Sequence, residues 1–170
     1  MAMAPGVRKL VLTAHVTASV GWLGAVAVFV ALAVVGLTGR DEQTVRGAYL
    51  VMEPAAWSVL VPLALASLVT GLVQSLGTAW GLFRHYWVVF KLLINVIAAA
   101  VLLLYTQTLA GLADVAASDD GWAVLHTPSV LLHAVLALLL LLVATVLAVY
   151  KPRGLTGYGR TRNNKTAGQQ

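Results

Sequence analysis

Residues 10–39 read LVLTAHVTASVGWLGAVAVFVALAVVGLTG, a stretch bounded by Lys9 and Arg40 with no charged side chain inside it. A hydrocarbon core of about 30 Å takes roughly 20 apolar residues in helical form, so this stretch is long enough to cross a bilayer. Three more uncharged stretches follow, between Glu53 and Arg84, between Lys91 and Asp114, and between Asp120 and Lys151. Four such segments in 170 residues leave little chain for a soluble domain. The sequence therefore reads as an all-α bundle of four transmembrane helices. One membrane domain covers residues 1–150, and a basic, Gly- and Asn-rich tail over 151–170 is expected to be disordered.

Composition agrees. Hydrophobic residues make up 60% and charged residues 10%, against about a quarter charged in soluble domains. The chain has no cysteine, which excludes disulfides, thiolate metal sites, iron–sulfur clusters and covalently attached haem. The net charge of +5 is carried entirely by Lys151, Arg153, Arg160, Arg162 and Lys165. A basic tail beside a span is suited to anionic headgroups of the lipid bilayer, at about 1 kcal/mol per residue near the surface. Its position argues against nucleic acid. Arg8 and Lys9 precede an apolar run as in a signal peptide, but that run is far longer than the roughly 7–15 residues of a signal core, so it reads as a retained helix.

The spans are placed at Leu10–Leu37, Ala55–Gly77, Tyr86–Gly111 and Pro128–Tyr150. Pro54 and Pro128 fall near the first turn of the second and fourth spans, where a missing N–H costs nothing. Pro62, inside the second, predicts a kink. Arg8, Lys9, Arg84, Lys91 and the tail lie at one side of the membrane. The opposite connections hold a balanced set (Arg40, Arg46, Asp41, Glu42) and the acids Asp114, Asp119 and Asp120. Lys and Arg gather on the cytoplasmic side, so both termini are expected in the cytoplasm and the protein in the plasma membrane. Asn164-Lys165-Thr166 matches a glycosylation pattern that a cytoplasmic tail could not use.

Val45, Ala48, Tyr49 and Met52 recur at helical spacing and predict a short helix lying at the outer interface. Trp57, Trp80, Tyr86, Trp87, Trp122 and Tyr150 fall near span ends as an aromatic belt, whereas Trp22 is expected inside the bundle. Ala14, Ala18, Gly21 and Ala25 form a stripe of small residues on the first span, and Ala137, Ala144 and Ala148 form one on the fourth. Such stripes serve close helix packing or dimerisation, or make room for a flat cofactor.

Ionisable residues inside spans are candidates for function. His15, Lys91 and His133 lie within spans, and His85 and His126 lie at their edges. At 1.5 Å per residue, His15 and Lys91 are both about 7–8 Å deep from the cytoplasmic side. His133 is as deep from the other face, roughly 15 Å away in height. His15 could therefore share a ligand with His85, but not with His133, which would need His126, Met52 or Glu53. His126 and His133 share a helix face about 10 Å apart. One reading makes His15, His85 and His133 ligands of haem b held between helices. The other has His15 hydrogen-bonded to a neighbouring Ser or Thr and His85 anchored among headgroups. On the third span Arg84, Lys91, Asn95 and Thr106 form a polar stripe. It reads either as a proton, ion or anion path or as snorkelling of Lys91 to the interface. The outer acids with His126 read as solvated loop residues, with a divalent cation as the alternative. No catalytic triad, phosphate-cradling loop or zinc spacing is present.

The stretch from His15 to Gly24 (HVTASVGWLG), the stretch from Gly71 to Gly77 (GLVQSLG), the turn Gly81-Leu82-Phe83-Arg84-His85-Tyr86-Trp87 and Lys91-Leu92 resemble a bacterial family of integral membrane proteins defined as a domain of unknown function. The resemblance covers roughly the first three spans, with the turn as its most specific part, and implies a four-helix membrane domain. Helix count and histidine placement are also loosely similar to four-helix b-type cytochromes and copper-resistance membrane proteins. Three functions fit these observations: a non-enzymatic membrane protein acting through partners, such as a homo-oligomer or a membrane partner; a haem-binding electron carrier; and a pathway for a small solute or ion.

Overall fold

The computed structural model describes residues 3–78, 81–118, 120–152, 154–157 and 159–161. The elements are α1 (Pro5–Thr38), α2 (Glu42–Ala55), a π-helical turn (Ala56–Leu60), α3 (Val61–Leu76), α4 (Tyr86–Ala117), α5 (Trp122–Leu125) and α6 (Ser129–Tyr150). With α2 to α3 taken as one continuous stretch, four helices among the described residues are long and apolar enough to cross a membrane. The fold is an all-α four-helix bundle. Packed neighbours run from α1 to α3, α3 to α4, α4 to α6 and α6 back to α1, which sets α1 and α4 at opposite corners. The core runs through Trp22, Val26, Phe29, Leu60, Ala98, Leu109 and Leu141. Outward positions stay apolar, with Leu10, Leu104 and Val149 at least 70% exposed. Lipid can solvate such a surface and water cannot.

The helices begin close to where the charge pattern puts them, but α1 starts earlier and α4 ends later. Hydropathy marks the apolar part of a helix, and neither Arg8 and Lys9 nor Asp114 interrupts one.

The largest departure is in the second span. The helix expected to lie at the interface is instead the start of that span: α2 leads through the π-helical turn into α3 without a break. Its apolar stripe, Val45, Ala48, Tyr49 and Met52, is buried against the bundle and does not face headgroups. Consequently Pro54 lies inside α2, not at the first turn of a span. The widened turn precedes Pro62, with Val61 N donating to Ala56 O five residues back. A proline has no N–H to give and crowds the preceding turn, and a π-helical bulge relieves that crowding. Asp41 caps α2 by accepting from the Thr44 hydroxyl and amide. These bonds hold its carboxyl below the usual carboxylate range.

Two ends can be told apart. At one, α2 ties the bundle together. Tyr49 Oη donates to Leu125 O at 2.5 Å. Gly36 leaves space for that ring, since a Cβ there would stand 2.7 Å from Tyr49 Oη. Arg46 closes the last turn of α4, donating to Val115 O at 3.0 Å, to Ala116 O at 3.2 Å and to Ser118 O. His126 Nε2 lies 3.1 Å from Gly39 O, and Trp122 meets the His126 ring edge-on.

At the other end Met3 N donates to Gly77 O. There the segment after α6 folds back on the α3–α4 turn. Tyr86 N donates to Gly154 O, Thr156 N to Arg84 O, and the Thr156 hydroxyl to Phe83 O. This described part of the tail departs from the expected disorder, because the turn's backbone groups lack helical partners and the tail supplies them. Trp80, Asp119, Arg153, Arg162, Lys165 and the Asn164–Thr166 pattern lie outside the described residues. Trp22 is 2% exposed in the core, as expected. Trp57 stands at the π-helical turn, in mid-helix and not at a span end.

Candidate functional site

Toward the end that carries the chain termini, the four helices part around a cavity of about 460 Å³. Most of its wall is aliphatic. Its polar lining comes from every helix: His15 and Ser19 on α1, Ser67, Gln74 and Ser75 on α3, Trp87, Lys91 and Asn95 on α4, and Thr145 on α6, with Lys151 just beyond. Among the described residues of the lining, the two charged ones are both lysines and none is acidic.

At its centre Lys91 Nζ and His15 Nε2 stand 3.1 Å apart, joining opposite corners of the bundle. The other side of the imidazole is held by α3, with Nδ1 at 3.1 Å from both Ser67 O and Thr70 Oγ1. Ser67 O can only accept. The Thr70 hydroxyl gives its hydrogen to Ala66 O at 2.5 Å, so toward His15 it accepts as well. Nδ1 must therefore carry a proton, which leaves Nε2 as the acceptor for the Lys91 ammonium. Lysine is intrinsically the more basic of the two by about four pK units, so the shared proton belongs to Lys91.

Local sequence explains why the contact forms. His15 and Ser19 lie one turn apart on α1, and Ser19 Oγ meets Ser67 Oγ at 2.8 Å. Gly71 makes room for the ring, because a Cβ there would come within 2.9 Å of His15 Cε1. Asn95, one turn after Lys91, is buried and donates to Lys91 O at 2.7 Å. One turn beyond Thr70 on α3, Gln74 Oε1 is buried and has no hydrogen-bond partner among the described residues.

The expected hydrogen bond from His15 to a neighbouring Ser or Thr is present. Snorkelling of Lys91 is not: its ammonium turns inward to His15. Arg84, at the head of the expected polar stripe, belongs to the α3–α4 turn that seats the tail and does not line the cavity. Thr106 is buried and donates to Leu103 O on its own helix.

The histidines lie apart. His85 caps α4, and its backbone pairs with Leu155. His133 bonds Ser129 O through Nδ1 at 2.8 Å and stacks on Tyr105 at 4.2 Å between ring centroids. It lines a separate apolar cavity of about 160 Å³ with Trp22 and Phe29. Of the two cavities, neither is lined by two of His15, His85 and His133. The Nε2 atom of His15 that would meet an iron is taken by Lys91. Neither of these cavities thus brings two of the three histidines together, and among the described residues no three His, Cys, Asp or Glu gather as a metal site.

The polar face of α3 went unread in the sequence, although Ser67, Thr70, Gly71, Gln74 and Ser75 recur at helical spacing there. Comparison of the chain with protein-family models, with curated proteins and with solved structures gives no match.

Proposed function

We propose that this is a non-enzymatic, multi-pass protein of the plasma membrane, with both termini cytoplasmic, that binds a small organic anion carrying an apolar group. The observation that carries this reading is the lining of the larger cavity. Among the described residues that line it, the charged ones are Lys91 and Lys151 and none is an acid, and the remaining wall is largely aliphatic. A buried ammonium is costly unless paired, and in the free protein a neutral imidazole is its partner. An anion would be a stronger one, since hydrogen bonds between ionised groups are roughly twice as strong as neutral ones. Aliphatic walls such as Val16, Leu68 and Leu92 would take the apolar part. The bias of Lys and Arg toward this end supports its placement in the cytoplasmic leaflet. This reading takes the solute alternative over assembly through partners, because a bundle built for packing alone has no need of a polar-lined cavity.

Trp22 and Trp87 line the cavity and serve as reporters. With the full chain in zwitterionic nanodiscs, 1-octanesulfonate should change tryptophan fluorescence saturably. Octyltrimethylammonium, octanol and methanesulfonate should not do so at the same concentrations. Lys91→Met should weaken octanesulfonate binding about tenfold or more, as expected for the loss of a hydrogen bond to a charged group. Equal response to the cation, or unchanged affinity in Lys91→Met, would overturn the proposal.

A further inference from the structure

The contact between Lys91 and His15 implies more than an attractive site for an anion. We infer that an anion entering the cavity brings a proton with it, so that binding is proton-coupled through His15. The inference rests on the anion-binding reading above and adds how that binding is regulated.

In the free protein the pair holds one positive charge, because a single proton lies between Nζ and Nε2 and Nδ1–H is committed to Ser67 O and Thr70 Oγ1. A second proton on Nε2 would remove the acceptor that Lys91 uses. It would also set two cations 3.1 Å apart in a wall with no acid among its described residues. The other described groups of the wall offer no relief. From α3, Ser67 and Thr70 meet the ring while Gln74 and Ser75 line the cavity, all uncharged; α4 contributes Lys91, Asn95 and Trp87, and α6 the uncharged Thr145. Beyond α6 the charged group is Lys151, another cation.

An anion between Nζ and Nε2 reverses the balance. Its oxygens accept from the ammonium, which releases the Nε2 lone pair, and a protonated Nε2 then donates to the same anion. The α3 side of the ring is unchanged, since Nδ1–H donates in both states. One anion and one proton thus enter together, the pair goes from one positive charge to two, and the net charge of the occupied site equals that of the free one. A site inside a membrane gains from this, because no uncompensated charge is left in low dielectric.

The experiment uses 1-octanesulfonate, whose acid is too strong to take up a proton itself. Calorimetric titration of the full chain in zwitterionic nanodiscs is run in Tris and in bis-Tris, cationic buffers of different ionisation enthalpy. The heat should differ between buffers by the amount that reports about one proton taken up per anion. On the alkaline side affinity should fall toward about tenfold per pH unit. His15→Gln keeps an acceptor for Lys91 but has no basic nitrogen. It should bind the anion with no proton uptake and with affinity flat in pH across the same range. Nitrogen-15 spectra of the wild-type imidazole should show one protonated ring nitrogen on His15 when free and two when the anion is bound, which tests the inference even where the variant does not fold. Binding with no proton uptake by the wild type, or uptake retained by His15→Gln, would overturn the coupling and leave the anion site standing. No saturable binding of octanesulfonate would overturn both.

Discussion

At the scale of single residues, the polar centre depends on a glycine. Gly71 faces the His15 imidazole so closely that a methyl group would meet Cε1 at 2.9 Å. Overpacking of this kind costs about 1–3 kcal/mol. Here it would also push the ring away from Lys91. Gly71→Ala is therefore expected to lower thermal stability in detergent and to weaken octanesulfonate binding. Gly24→Ala, on the same helix as His15, is the control, since nothing lies within 4 Å of a Cβ there. Replacing a helical glycine by alanine in open space should leave stability unchanged or raise it, by up to about 1 kcal/mol. A neutral Gly71→Ala would mean that the ring does not sit against α3 as described. The residue types at this site were legible in the sequence, as was the similar depth of His15 and Lys91. Their contact was not, because helix rotation decides whether a lysine turns out to the interface or in to a histidine.

Among the elements, α2 does most to set the architecture. By sequence it is a short amphipathic segment in a connection, marked by Val45, Ala48, Tyr49 and Met52, and the same pattern suits a headgroup-bound helix and the packed start of a span. The distinction rests on Tyr49 and Arg46, whose partners are main-chain carbonyls on α5 and at the end of α4. No residue type signals a carbonyl 69 positions away. Arg46 satisfies carbonyls that a helix C-terminus leaves without intrahelical donors. Its pairing with Glu42 is on the exposed side, so it adds little. Arg46→Ala is expected to cost about 1–3 kcal/mol from carbonyls left without their charged donor. Glu42→Ala should cost under about 1 kcal/mol. Hydrogen exchange should localise the Arg46→Ala effect to the last turn of α4. Equal losses for the two variants would show that the ion pair, not the cap, is what matters.

For the whole molecule, the proposed orientation puts the cavity and the tail's docking turn in the cytoplasmic half, with α2 and α5 on the outer side. A reporter fused after Gln170 should be active in its cytoplasmic form, and one inserted at Ser118 in its external form. The reverse pattern would turn the site toward the outside and overturn its placement in the cytoplasmic leaflet. The number of spans, their all-α character and the distinction of the two ends were determined by the sequence alone. Apolar length and charge placement are one-dimensional properties, and a bilayer reads them segment by segment. Tertiary structure decided what no single segment contains: that α2 packs into the bundle as the start of the second span, that the histidines occupy separate places, and that Lys91 faces His15 across a cavity. Those outcomes depend on how four apolar cylinders rotate and pack, and lipid is as apolar as their side chains, so hydropathy cannot rank one rotation over another. Small residues, hydrogen bonds and the space left by Gly36 and Gly71 make that choice.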